Sequence, residues 1–249
     1  MRYSCKRRSL SRIEHEILSA LHRTQILRNG RHIAIGVSGG KDSTFLLAML
    51  LRILPRVRHG IELHAIHVRD PASPCFQDGS IDALRTWCAE KPIGFHVIEP
   101  LGEGEVCTDC HRCAWRRREA LFRHADRIGA VAVALGHSAY DLAVTALMNL
   151  IHHGQLETMP DLMTFFSGKI RVIRPLAGVT LEEILHHHRR LGLPSPPPSC
   201  QDDVGRSRSE AQKLLDRMLS IDPGAQVNIL RAAERFSGRF DRDRNGGCR

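Results

Sequence analysis

An α/β fold, a parallel sheet with helices on both of its faces, is what this sequence predicts, and three observations predict it. Short apolar runs with strand character alternate with longer amphipathic runs from residue 32 to residue 191. The chain is 249 residues long, enough for one large α/β domain with short extensions. Its 42% hydrophobic and 25% charged residues are those of an ordinary globular protein, which excludes wholesale disorder and collagen-like repeats.

Taken in order, the elements are these. A helix runs from Leu10 to Leu27 and is stopped by Asn29-Gly30. His32–Val37 is a short buried strand, and Ser43–Leu54 a helix that ends before Pro55. Glu62–Val68 is the second strand, Ser80–Glu90 a helix, and Ile93–Glu99 the third strand. A Gly- and Glu-rich loop leads into three cysteines, then a helix over Ala114–Ile128, a strand over Ala130–Leu135 and a helix over Leu142–His153. Lys169–Leu176 is the last strand and Thr180–Leu191 its helix. The run Pro194–Cys200 is a stiff linker, and Ser209–Leu219 and Pro223–Phe236 are helical beyond it. The chain thus divides into an N-terminal helical extension (1–30), a catalytic domain (31–193) and a C-terminal part with the linker and two helices (194–249). In parallel sheets of this kind ligands sit at the carboxyl ends of the strands.

Charge narrows the partners. Thirty-six basic residues against 27 acidic ones give a net charge of +9, which favours a polyanion, nucleic acid before a membrane surface. Only Lys6, Lys41, Lys91, Lys169 and Lys213 are lysines; the arginine excess suits phosphates and stacked bases. Ile128–Leu156, the longest weakly charged stretch, is interrupted by Gly136-His137-Ser138 and by Asp141, so no membrane span is expected. The basic start is followed by an amphipathic segment with Glu14 and Glu16 rather than an apolar one, so a cytoplasmic location is expected.

The first strand runs into Ser38-Gly39-Gly40-Lys41-Asp42-Ser43 and then into a helix. Glycines let the backbone close on an anion, the helix start supplies unpaired N–H groups, and Lys41 adds charge. A Walker A loop is excluded, because Ile35 stands where it needs Gly and Asp42 where it needs Ser or Thr. The plain alternative is a Gly-rich strand–helix turn. Cys107, Cys110 and Cys113 are three residues apart before a helix, a spacing that lets thiolates face one metal centre. Spacing alone leaves zinc and iron–sulfur both open, with Cys200 or His111 able to complete a zinc site. Trp115 beside Arg116, Arg117 and Arg118 reads as a base-stacking patch or as a solvated helix face. Arg171 and Arg174 can also face RNA, whereas His152, His153 and His186–His188 read as surface.

The SGGKDS run resembles the signature of the PP-loop ATP pyrophosphatases, and the wider pattern is most similar to their tRNA 2-thiolation branch, the TtcA family. The matching pieces are Ser38–Ser43, Cys110-x-x-Cys113 before an Arg-rich helix, Ala134–His137, Leu147–Leu150, Gly154–Pro160, Ile173–Leu176 and Cys200. The resemblance implies a Rossmann-like sheet of the adenine nucleotide alpha hydrolase type. It implies that Ser38, Gly39, Gly40, Lys41, Asp42 and Ser43 hold the ATP phosphates, that backbone near Val37 and Val68 meets the adenine, and that Gly136 and His137 border the nucleotide. It implies a [4Fe–4S] cluster on Cys110, Cys113 and Cys200, with Cys107 an extra thiol, a basic residue near the site at Arg117, and Mg2+ on Asp42 and Asp141. One departure stands out: the family's paired aspartates after Gly-His read here as Tyr140-Asp141. Asp141 has the plain alternative of a helix cap.

The expected function is therefore an iron–sulfur-dependent tRNA sulfurtransferase. It adenylates the C2 carbonyl of a tRNA pyrimidine, cytidine in the anticodon loop first, with Lys41, Asp42, Asp141 and Arg117 as the catalytic set. Its partners would be tRNA and a sulfide or persulfide donor such as a cysteine desulfurase; a homodimer is left open. A second reading changes the acceptor to another tRNA base or a small molecule. A third is a zinc-stabilised RNA-binding protein with a relict nucleotide loop.

Overall fold

The computed structural model describes the backbone of residues 3–28, 31–71, 81–100, 110–194 and 206–244, and the side chains of these except 3–11, 110, 111, 206, 207 and 237–244. Cys107 and Cys200 lie outside the described residues, as does the Pro-rich run beyond Pro194.

The helices are α1 (Tyr3–Arg23), α2 (Lys41–Val57), α3 (Asp82–Ala89), α4 (Cys110–Arg127), α5 (Ala139–His153), α6 (Leu181–Arg190), α7 (Arg206–Ile221) and α8 (Ala225–Arg244). The strands are β1 (His32–Gly36), β2 (Glu62–Val68), β3 (Gly94–Ile98), β4 (Ala132–Ala134), β5 (Leu162–Phe165) and β6 (Ile170–Ile173). They form one six-stranded sheet in the order β3-β2-β1-β4-β6-β5, parallel except for β5. The order reverses between β1 and β4, and in sheets of this kind the carboxyl ends of the strands at such a switch point are where ligands bind.

Side chains alternate across the strands. Ile33, Ile35, Leu63, Ala65, Ala132 and Ala134 join one core with Ile13, Ile17 and Leu21 of α1, Phe45, Leu46 and Leu50 of α2, Leu84 of α3 and Ile184 of α6. Ala34, Ile66, Val133 and Val172 face the other way, onto Leu121, Phe122 and Ala125 of α4. By its contacts the chain forms two units: residues 1–137 with 161–201, and 138–160 with 202–249. The second is helical, with Ala143, Val144 and Leu147 of α5 packed on Ala211 and Leu215 of α7 and Ile229 of α8.

Four expectations need correction. α2 runs through Pro55 to Val57: a proline there forfeits one hydrogen bond, and the buried Ile53 and Leu54 hold the last turn in place. β5 was absent from the expected elements; it is an antiparallel edge strand joined to β6 by a tight turn in which Phe166, Ser167 and Gly168 all have positive φ. His187 and His188 are buried rather than on the surface, because α6 turns that face onto α2, where the His188 Nε2 lies 3.0 Å from the Thr44 hydroxyl. His186, His152 and His153 are exposed. Arg174 is also buried, at the end of β6; burial and the neighbouring Arg118 guanidinium push its pKa down, so it is no RNA-facing side chain.

Candidate active site

β1 delivers the glycine-rich loop to that switch point. The Val37 N–H donates to the Ile66 carbonyl (2.9 Å), which carries the strand pairing to the last residue before the loop. Gly39 then takes φ +88°, a left-handed conformation that a side chain would strain, and Gly40 is the extended residue that starts α2. Inside the loop the Ser43 hydroxyl lies 3.2 Å from both the Ser38 amide and the Ser38 hydroxyl, and donates to the Gly40 carbonyl (3.0 Å). The Gly40 N–H donates to the Ser38 hydroxyl at 3.3 Å. Two serines thus brace a turn whose helix start carries the positive end of a 17-residue dipole. Lys41 Nζ lies 3.1 Å from Asp42 Oδ2, with both side chains partly open to solvent.

The loop after β4 passes directly over this helix start. A Cβ on Gly136 would lie 2.9 Å from the Ser43 amide nitrogen and 3.0 Å from the Asp42 carbonyl carbon. Only glycine allows that approach, which gives the Gly136 of the Ala134–His137 motif a physical reason. His137 follows it, half-buried.

β2 brings the second group of residues to the same edge. His67 Nδ1 donates to the Val37 carbonyl at 2.9 Å, since a carbonyl only accepts. Burial and the Arg117 charge hold the His67 pKa below its usual value. The neutral ring therefore carries its proton on Nδ1 and leaves Nε2 as an acceptor. Two residues past Val68, the end of β2, Asp70 is buried, and the Cys113 thiol lies 4.0 Å from its Oδ2. Cys113 is 2% exposed, and Arg117, one turn on in α4, bonds the Cys113 carbonyl through Nε at 3.4 Å. His67 and Asp70 are the functional candidates missed in the sequence. Asp70 was legible in part, as a carboxylate just past a strand's carboxyl end.

Cys110 is the first residue of α4, and Cys113 follows it by three residues in the same first turn. The chemistry of these residues suits a soft metal centre: Cys113 is a buried thiol at the carboxyl end of the sheet, a second cysteine stands at the start of the same helix, and Arg117 lies one turn on. By contrast Cys88 of α3 is a core thiol whose burial pushes its pKa up to about 11. Beyond the pair, Trp115 is 55% exposed, and Arg112 and Arg118 are exposed on the same helix.

Asp141 belongs to the second unit. Its Oδ2 accepts from the Ser138 amide and hydroxyl, both at 3.0 Å, in a capping box at the start of α5, and its Oδ1 accepts from Arg208 at 2.8 Å. Tyr140 donates to Asp216 of α7 at 2.8 Å; burial and that carboxylate push the phenol pKa up and keep it a donor. Both residues therefore hold α5 to the C-terminal helices of their own unit.

A family model described as the PP-loop domain matches residues 10–194. The chain is 30% identical over 244 residues to a tRNA-cytidine(32) 2-sulfurtransferase of Bordetella avium, covering 93% of this chain and 76% of that one. It is 31% identical over 231 residues to the Pelobacter propionicus protein of the same name, covering 89% and 84%. Among solved structures, the U34-tRNA thiolase NcsA from Methanococcus maripaludis with its [4Fe–4S] cluster superposes with a TM-score of 0.73 at 24% identity, over 91% of this chain and 78% of that one. NMN synthetase from Francisella tularensis does so with a TM-score of 0.52 at 14% identity, over 83% and 86%. These two likenesses establish the fold.

Proposed function

The chain belongs to the PP-loop family, in the branch of the tRNA-cytidine(32) 2-sulfurtransferases, and on that footing we propose that it is an ATP-dependent enzyme replacing oxygen by sulfur at C2 of a tRNA pyrimidine, cytidine first. One observation carries the reading: a single sheet edge holds both the phosphate loop and the start of the cysteine helix. Val37 and His67 join them on one side, and Asp70 and Cys113 on the other.

The residues divide the work as follows. Backbone N–H groups of Gly39, Gly40 and Lys41, with the Ser38 and Ser43 hydroxyls, receive the ATP phosphates, and the α2 dipole opposes their charge. Lys41, with Mg2+ held by Asp42, neutralises the charge that builds up as pyrophosphate leaves. The adenine lies against the backbone at Val37 and Val68. The base's C2 oxygen attacks the α-phosphorus, the bond to pyrophosphate breaks, and the base becomes an adenylate ester. A sulfur nucleophile then adds at C2 and AMP departs with the original oxygen. Cys110, Cys113 and Cys200 would hold a [4Fe–4S] cluster, which when bound supplies a site for the incoming sulfur. Trp115 and the α4 arginines receive an unpaired base and its phosphates, as a single-stranded loop allows. The sulfur arrives as sulfide, or from a persulfide donor such as a cysteine desulfurase with a thiol reductant that returns it to the sulfide level, and the enzyme works in the cytoplasm with its tRNA.

The test is an anaerobic assay of reconstituted protein with unmodified tRNA, ATP, Mg2+ and sulfide, read by nucleoside mass spectrometry. Thiolated cytidine formed in step with AMP and pyrophosphate is the expected result. ATP turnover without any thiolated nucleoside would overturn it, and one zinc without iron in the purified protein would overturn the cluster. A second reading, another acceptor, is favoured by Tyr140, because its hydroxyl is committed to Asp216 where relatives of the resemblance carry a carboxylate. A different thiolated nucleoside in the same assay would select it.

A further inference from the structure

At the end of the sheet away from the phosphate loop, four histidines form a row across three strands and a helix. His32 opens β1, His64 lies on β2, His96 on β3 and His124 on α4. Two-residue periodicity places His32 with Ala34, and His64 with Ile66, on the face that α4 covers. His32 Nδ1 is 3.1 Å from His64 Nε2, and His64 Nδ1 is 3.1 Å from His96 Nε2. The His96 and His124 rings meet edge to face with centroids 4.9 Å apart. Glu62, in register with His32 on the neighbouring strand, brings Oε2 to 3.5 Å from His32 Nδ1.

These separations have a chemical meaning. Two ligand atoms about 2.0–2.2 Å from a tetrahedral zinc ion stand roughly 3.3 Å apart. The His32–His64 and His32–Glu62 distances fall on either side of that value, and the three donor atoms all lie within 4.8 Å of one another. The row behind them also fits. A metal-bound imidazole gives its second N–H to an acceptor that fixes its tautomer, and His64 Nδ1 meets His96 in that way. Gly94 makes room for the contact: a Cβ there would lie 2.8 Å from His64 Nδ1 and 3.1 Å from His96 Nε2. Glu62 is exposed and His32 part-exposed, so an ion can enter from solvent. From this geometry we infer that His32, Glu62 and His64 form a binding site for a divalent transition cation of the zinc class, oriented by His96 and separate from the cysteine centre.

The test uses the untagged full-length chain, treated with chelator and titrated anaerobically with Co2+. Cobalt on imidazole and carboxylate shows d–d absorption without the thiolate charge-transfer band that cobalt on the cysteines would add. One equivalent of the first kind, displaced by Zn2+, is expected. In Glu62→Gln and His64→Gln its affinity should fall at least tenfold, and in His96→Gln by about 10–100-fold, the usual effect of an orienting partner. Glu62 is exposed, so its variant keeps the fold even where His64→Gln does not. The inference is overturned if every cobalt equivalent carries the thiolate band, or if folded Glu62→Gln binds as tightly as the parent chain. Neither result bears on the sulfurtransferase reading, whose readout is the thiolated nucleoside.

Discussion

The thiol of Cys113 lies 4.0 Å from the carboxylate of Asp70, and both side chains are buried at the carboxyl end of the sheet. In the proposed cluster the Cys113 sulfur binds iron, and Asp70 is the buried carboxylate that contacts it. Cys113→Ala should abolish thiolation and the iron–sulfur absorbance while ATP affinity persists. Asp70→Ala should lower cluster affinity or activity about 10–100-fold, the range for groups that orient a metal ligand. Iron content and ATP titration on the same samples separate the two effects.

Gly136 offers a steric test of the phosphate loop. In Gly136→Ala the added methyl meets the backbone of Asp42 and Ser43, which cannot move without shifting the first turn of α2. A loss of about 1–3 kcal/mol of stability is expected from such overpacking. ATP affinity should fall more than the stability loss alone explains. Denaturant unfolding and nucleotide titration measure the two quantities.

In the proposed mechanism Lys41 carries charge to the leaving pyrophosphate rather than shape to the fold. Lys41→Ala should reduce kcat by about 10²–10³-fold, as the loss of one donor to a developing negative charge does. The melting temperature should change little, since the side chain is partly exposed and its described partner is the adjacent Asp42. Pyrophosphate release gives the rate.

Tyr140 predicts the opposite pattern. Tyr140→Phe removes the hydrogen bond to Asp216 between α5 and α7 and should cost about 1 kcal/mol. Thiolation of tRNA should survive, because the phenol is committed to its own helical unit. A variant that melts like the parent but loses activity would refute this assignment.

Acid should loosen α6 early. Burial holds His187 and His188 neutral in the folded chain, with pKa values below the ordinary one, so the unfolded chain binds more protons near pH 6. Their contribution is fully present above the unfolded pKa of about 6.5 and is lost as pH falls below it. Glu183 has a depressed carboxyl, held down by Arg12 and by the Thr180 capping bonds; its contribution disappears later, below the ordinary carboxylate range. Urea midpoints between pH 7.5 and 5.5 should fall, and His188→Asn should flatten the slope.

Most of the parallel sheet was legible, because a strand buried on two faces and a helix with one apolar face write different periods into the sequence. β5 was not, because Leu162–Phe165 alternates weakly and lies at an edge, where little burial marks it. Its signal was the Ser167-Gly168 pair, a turn between two short runs. The conformation of the glycine-rich loop was legible, since glycine and the strand–helix order state the geometry directly. His67 was not, and Asp70 only in part: the first depends on its contact with the end of β1, the second on α4 crossing to the end of β2, a contact between segments more than 40 residues apart. The histidine triplet in α6 misled for a related reason: charge composition does not say which face of a short helix meets α2.

The second unit is written in two separate stretches of chain, 138–160 and 202–249. Its core has Ala143, Val144, Ala146 and Leu147 from the first stretch and Ala211, Leu215 and Ile229 from the second. A fragment ending at residue 194, where the family match stops, would keep α5 and discard the helices that shield its apolar stripe. Such a truncation is an aggregation hazard rather than a minimal enzyme, and gene dissection of this protein has to carry the C-terminal helices along with the glycine-rich loop.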